Sequence, residues 1–67
     1  MTIVLHRHCR SLGYCNRGLR LWFASEGLDW ADFLKRGLPA ETLRRYDNAM
    51  VGRAIALAEG EAHGRQQ

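Results

Sequence analysis

Residues that terminate helices divide this chain into short helical segments. Gly27, Gly37 and the Asp47–Asn48 pair stand between stretches whose apolar residues recur at helical spacing. The pattern predicts a mainly α-helical fold. We expect a small bundle of three to four short helices, at about residues 16–26, 29–36, 39–46 and 48–59.

Capping signals support these boundaries. Asn16 is a suitable N-cap for the first helix, and Asp29 is the expected N-cap of the second. Asp32, at the third helical position, completes a capping-box pattern with Asp29. Pro39 suits the first position of the third helix. The predicted core consists of apolar residues at helical spacing: Leu19, Trp22, Phe23, Trp30, Phe33, Leu34, Leu43, Met50, Val51, Ala54 and Ile55.

The two ends of the chain differ from its helical middle. Residues 2–6 are mostly β-branched and apolar, which predicts a short strand that packs on the helices or pairs with another chain. We expect residues 1–8 to form an extended N-terminal segment and residues 7–15 a loop or irregular turn. Residues 60–67 have little to bury, so they are expected to form a flexible tail. Residues 1–67 together are expected to be a single small domain.

The small size of the chain limits its stability. A chain of 67 residues buries only about 60% of the surface that its unfolded form exposes. Domains of this size usually gain stability from a staple, a metal or a partner. The apolar run at the N-terminus is too short for a signal peptide, and no run approaches the ~20 apolar residues that span a bilayer. We therefore expect a protein made in the cytoplasm, without a membrane partner.

The basic charge comes almost entirely from arginine. The net charge is +3, with nine arginines and one lysine against seven acidic residues. Arginine suits carboxylates, phosphates and protein interfaces, but the acidic residues are spread along the chain and dilute any single basic patch. Nucleic-acid binding is therefore possible from composition but less favoured than a soluble surface with a slight basic bias.

A cluster of potential metal ligands lies near the N-terminus: His6, His8, Cys9 and Cys15. Zinc accepts these atom types, but the spacing differs from the paired ligands of structural zinc sites. Adjacent residues such as His8 and Cys9 rarely face the same ion. The alternative is that Cys15 is a buried small residue at a helix start and Cys9 is incidental. We expect no cofactor, while a small metal- or iron–sulfur-associated protein that uses Cys9 and Cys15 stays an alternative.

Catalytic motifs are weak in this sequence. The glycines match no nucleotide-binding fingerprint. A cysteine–histidine nucleophile would need a base, an orienting group and a pocket, and ligand pockets usually occupy about 300–1,000 Å³. A chain this small has little room for one, so we expect a protein that is not an enzyme.

A helix-turn-helix arrangement is a second alternative. Short helices separated by Gly27 and Gly37 have the length and turn chemistry of small DNA-binding bundles. The recognition helix would be residues 39–46, with Arg44 and Arg45 facing outward. This helix offers few base-reading side chains, and its arginines could equally form a solvated face or pair with acidic neighbours.

The aromatic residues and arginines favour a protein-binding role. Two tryptophans, two phenylalanines and two tyrosines cannot all be deeply buried in so short a chain. Aromatic side chains and arginine are enriched at protein interfaces. The predicted partner-binding residues are Ile3, Leu5, Arg20, Trp30, Arg44 and Arg45.

One extended motif carries a family resemblance. It reads Cys15-x-x-Gly-x-x-x-Trp-Phe-x-x-x-Gly-Leu-Asp-Trp-x-x-Phe-Leu-x-x-Gly-Leu-Pro-Ala-Glu-x-Leu43, followed by Asp47-Asn-Ala-Met50. This motif resembles a group of short proteins of tailed bacteriophages and prophages, encoded among the virion morphogenesis genes near the tail genes. The resemblance covers about residues 13–58. Cys9 and the paired histidines, His6 and His8, depart from the family pattern.

The resemblance implies a small virion or tail-assembly protein. Such a protein would dock on a larger tail or tail-tip protein, often in several copies around a symmetry axis. It would be made in the host cytoplasm and located in the virion. The N-terminal strand, residues 2–6, could add to the edge of a partner's sheet. A helix-turn-helix DNA-binding phage regulator is the alternative within the same setting.

Overall fold

Five helices and a two-stranded antiparallel sheet make up the part of the chain that the computed structural model describes, residues 2–64, with side chains described through residue 62. The mainly helical class predicted from the sequence is confirmed. The elements in chain order are β1 (Ile3–Val4), α1 (His6–Ser11), α2 (Asn16–Ser25), α3 (Trp30–Arg36), β2 (Leu38–Pro39), α4 (Ala40–Leu43) and α5 (Ala49–Gly64).

The two central helices follow their local signals. Asp29 caps α3 as predicted, because its Oδ1 accepts a hydrogen bond from the Asp32 N–H at 3.0 Å. Gly37 ends α3 at a φ of +74°. The predicted cap of α2 was wrong by one residue: Cys15, not Asn16, is the N-cap, and its Sγ accepts from the Gly18 N–H at 3.3 Å.

The prediction of an extended N-terminus followed by a loop was wrong from residue 6 onward. Only Ile3–Val4 is a strand, and His6–Ser11 forms α1. The ring of His8 caps the start of this short helix, since its Nδ1 accepts a hydrogen bond from the Leu5 N–H at 2.9 Å. That contact satisfies a backbone donor that helix geometry leaves without a partner at the first turn.

The N-terminal strand pairs within the chain. Ile3 lies opposite Pro39 and Val4 opposite Leu38 in the antiparallel sheet of β1 and β2. Gly37 permits this close approach, since a Cβ there would lie 2.5 Å from the Val4 carbonyl oxygen. One edge of β1 is thus paired with β2 of the same chain.

The helix predicted at residues 39–46 exists, but it is shorter than predicted. Pro39 belongs to β2, α4 covers only Ala40–Leu43, and residues 44–46 form a turn. The Ala40 N–H donates to the Thr2 carbonyl oxygen at 2.9 Å, which extends the pairing with the N-terminal strand. Pro39, where the predicted helix was to begin, therefore belongs to the strand pairing instead.

The last helix is longer than predicted. Asn48 begins it as an N-cap, because its Oδ1 accepts from the Met50 N–H at 2.9 Å and the Val51 N–H at 3.2 Å. The helix continues to Gly64, so the tail predicted from residue 60 is helical at its start. The remainder of the predicted tail, residues 65–67, lies outside the described residues.

One buried core cluster has members from β1 and from each of the five helices: Val4, Cys9, Leu19, Phe23, Phe33, Ala40, Leu43, Val51, Ala54, Ile55 and Ala58. Most of the predicted core is confirmed by this cluster, and Trp22 and Trp30 pack against it half-buried. The prediction was wrong for two members, because Leu34 is 47% exposed and Met50 is 46% exposed. Among the described helices, none combines the length and apolar content needed to cross a membrane.

Candidate binding surface and core cavity

Helix α2 presents an apolar and basic face to solvent. It buries Leu19 and Phe23, while Leu21 is 64% exposed. A shallow groove runs along this outward face, and its walls are Asn16, Arg17, Arg20, Leu21 and Ala24. We call these five residues the α2 face. A leucine exposed to this degree gains free energy when a partner covers it, at roughly 25 cal/mol for each Å² of apolar surface.

The charge on the α2 face is positive. Arg17 and Arg20 form no ion pair within residues 2–62, and no acidic residue lies in the first turn of α2. The amino-terminal end of a helix also carries a partial positive charge. An exposed leucine beside two arginines therefore fits an apolar segment that carries acidic residues.

The core beneath α2 contains a cavity of about 130 Å³. Its walls are almost wholly apolar and come from β1 and from α1 through α5: they include Val4, Cys9, Leu19, Phe23, Phe33, Leu43 and Ala54.

Trp30, predicted as a partner contact, belongs to an aromatic cluster next to this cavity. Its ring centroid lies 5.2 Å from that of Phe23 and 5.8 Å from that of Phe33. The His6 ring meets it edge-on at 5.6 Å. These contacts leave Trp30 half-buried, so most of its apolar surface already stabilises the fold.

The other predicted contact residues have varied surroundings. Ile3 and Leu5 pack against Gly37, where a Cβ would meet their side chains at 2.9 Å and 2.8 Å. Arg44 forms an ion pair with Glu59 of α5. Arg45 is exposed in the turn after α4, and Arg20 lies on the α2 face. Of the six predicted residues, only Arg20 lies on that face.

The four candidate metal ligands have other roles. His6 Nε2 lies 2.7 Å from Asn16 Oδ1, and Cys15 caps α2. No group of three or more potential ligands converges anywhere in the part of the chain that the structure describes. The alternative roles proposed for the two cysteines were reversed: Cys9 is buried in the core, where burial raises the pKa of its thiol, and Cys15 is exposed.

An ion-pair cluster joins the first and last helices. Glu61 Oε1 lies 2.8 Å from Arg7 Nη2 and 3.0 Å from His8 Nε2. Because Nδ1 of His8 accepts from the Leu5 N–H, a proton on Nε2 fits both contacts of the ring. The hydrogen bond from Arg7, followed by that from His8, lowers the pKa of Glu61 to about 2. This cluster connects α1 to α5 near the C-terminal end of α5.

Sequence reasoning missed most of the α2 face. Leu21 was passed over because it lies outside the apolar stripe of Leu19, Trp22 and Phe23, although a leucine off the stripe and beside Arg17 and Arg20 was itself a signal. The recognition helix expected at residues 39–46 is reduced to the four residues of α4. Comparison of the chain with protein-family models, curated proteins and solved structures found no match.

Proposed function

We propose that this chain is a non-enzymatic virion or tail-assembly protein of a tailed bacteriophage, and that it docks on a larger tail or tail-tip protein through the α2 face. The observation that carries the docking role is Leu21, which is 64% exposed on the same helix face as Arg17 and Arg20. The phage setting is supported by the resemblance of residues 13–58 to short proteins encoded near phage tail genes. The chain would act in the virion after synthesis in the host cytoplasm.

The α2 face favours a protein partner over nucleic acid. Leu21 and Ala24 are the apolar part of this face, and a phosphate backbone would gain nothing from covering them. A partner segment with apolar side chains flanked by Asp or Glu would cover the leucine and place carboxylates near Arg17 and Arg20. The expected partner surface is therefore acidic and apolar.

Co-purification during phage production tests this proposal. A tagged chain expressed at its own locus is expected to bring down one phage tail protein in a fixed ratio. Leu21→Asp should reduce that recovery at least about tenfold, since it removes apolar contact and adds a repelled charge. Leu34→Asp is the matched control, because Leu34 is also an exposed helical leucine but lies on α3.

Charge reversal tests the electrostatic part of the proposal. The double variant Arg17→Glu with Arg20→Glu should lose the partner, while Lys35→Glu should retain it. The same recovery by wild type and the Leu21 and arginine variants would contradict docking through this face. Absence of the chain from purified virions by mass spectrometry would restrict its role to assembly.

A gel shift addresses the DNA-binding alternative. Phosphate-driven binding weakens steeply as salt rises, so a complex with duplex DNA at low salt that disappears at higher salt would replace the docking proposal. We expect no shift for the wild-type chain at low salt.

A further inference from the structure

The apolar cavity between α2 and α5 is large enough to hold a molecule. Its volume of about 130 Å³ is close to that of an engineered apolar cavity of about 150 Å³ that binds benzene or xenon. Cavities with apolar walls stay dry, because a water molecule inside would lack hydrogen-bond partners. The space is therefore suited to an apolar occupant.

Several wall residues of the cavity also reach the surface. Met50 is 46% exposed, Gly18 is exposed, and Tyr14 is half-buried. The Tyr14 hydroxyl donates to the Met50 carbonyl oxygen at 3.2 Å, which joins the segment before α2 to the first turn of α5. Gly18 has no side chain to close this side, and the unbranched Met50 side chain adapts readily to an occupant.

We propose that this cavity binds one apolar group about the size of a benzene ring. The occupant is a free small apolar molecule, and an apolar side chain inserted by a partner is the outcome that would replace it. Leu21 lies three residues after Gly18, so the two are neighbours on the surface of α2. The site itself does not depend on the docking proposal, because a small probe can occupy it without a partner.

Thermal unfolding in the presence of benzene tests the site. At about ten times the dissociation constant, bound benzene should raise the Tm by about 5 to 10 °C. Pyridine has the same ring size but carries a nitrogen that would lose its hydrogen bond to water, so it should raise the Tm much less. No shift with benzene, or an equal shift with pyridine, would overturn the proposal.

Filling the cavity provides the matched control. Ala54 is buried in the cavity wall, whereas Ala56 is exposed on the same helix. Ala54→Leu should abolish the benzene-dependent shift, and Ala56→Leu should preserve it. Ala54→Val, which adds less volume, should weaken the shift if the leucine variant does not fold. A benzene shift that is unchanged in a folded Ala54 variant would place the binding elsewhere and contradict the proposal.

Extraction distinguishes the two sources of the occupant. Protein purified from its host without organic solvents is extracted and analysed by gas chromatography with mass spectrometry. One molar equivalent of a small apolar compound would assign the site to a free ligand. An extract without such a compound, from protein that still binds benzene, would contradict a free ligand as the occupant and favour a partner's side chain. Loss of docking in Leu21→Asp with an intact benzene shift would separate this site from the α2 face.

Discussion

The two cysteine thiols should differ sharply in reactivity. Cys15 is exposed at the start of α2, whereas Cys9 is buried in the core and burial raises the pKa of its thiol. Because the thiolate is the reactive form, iodoacetamide at neutral pH should modify Cys15 at least about a hundredfold faster than Cys9 in the folded protein. Peptide mass spectrometry over a time course measures both rates.

Unfolding supplies the control for this prediction. In concentrated guanidinium chloride both thiols are solvated, so their rates should agree within a factor of about three. Equal rates in the folded protein would contradict the burial of Cys9.

The burial of Cys9 was not visible in the sequence around it. Cys9 lies beside His8 in a stretch of polar residues without apolar periodicity. His8 is 3% exposed, and Leu5 and Glu61 satisfy its two ring nitrogens. A contact with a residue 53 positions away cannot be read from local spacing.

Alanine substitutions at two exposed glycines test two different effects. Gly52→Ala tests helix propensity, and Gly27→Ala tests backbone conformation. A Cβ at Gly52 in α5 or at Gly27 after α2 would meet no atom within 4 Å, but only Gly27 has a positive φ, +71°. Gly52→Ala should therefore raise the free energy of unfolding by about 0.5–1 kcal/mol. Gly27→Ala should lower it by about 1 kcal/mol, because a side chain disfavours the left-handed conformation.

Urea denaturation followed by circular dichroism measures both changes. The slope of the transition should match wild type in each variant, since neither glycine contributes to the buried core. Stabilisation by both alanines, or by neither, would contradict the assigned conformations.

Helices with complete local signals were predictable from the sequence. α3 has Asp29 at its start and Gly37 at its end, and both act as predicted. The start of α5 was also marked by Asn48. These signals are side chains that bond to backbone within a few residues, so the sequence contains them in full.

Elements that depend on distant contacts were not predictable. Residues 39–46 contain a suitable helix start, but Pro39 pairs with Ile3 in the sheet and leaves only α4. α1 lacks an apolar stripe, and its Arg7 and His8 bond to Glu61 near the far end of α5. Both elements make tertiary contacts that local propensity does not contain.

At the scale of the whole molecule, the exposed α2 face is a consequence of the small core that a chain of this length can form. The core takes one side of α2, so Leu21 is left on the opposite side. The sequence predicted a partner-binding protein with exposed aromatics and arginines, and it named Arg20 of the α2 face. The cavity could not be predicted, because its walls come from β1 and all five described helices at once.

The ion pairs of Glu61 join the two ends of the described chain, so the fold should lose stability in acid. Arg7 and His8 lower the pKa of Glu61 from 4.5 to about 2. A lowered carboxyl pKa stabilises the fold above the unfolded value, and this stabilisation is lost as pH falls from about 4.5 towards 2. Glu61→Gln should lower the Tm at pH 7 and flatten its decline across that range, as measured by circular dichroism. Glu41→Gln, at an exposed position with no ion pair in the described chain, should follow wild type. Parallel Tm–pH curves for wild type and Glu61→Gln would show that this cluster does not hold α1 to α5.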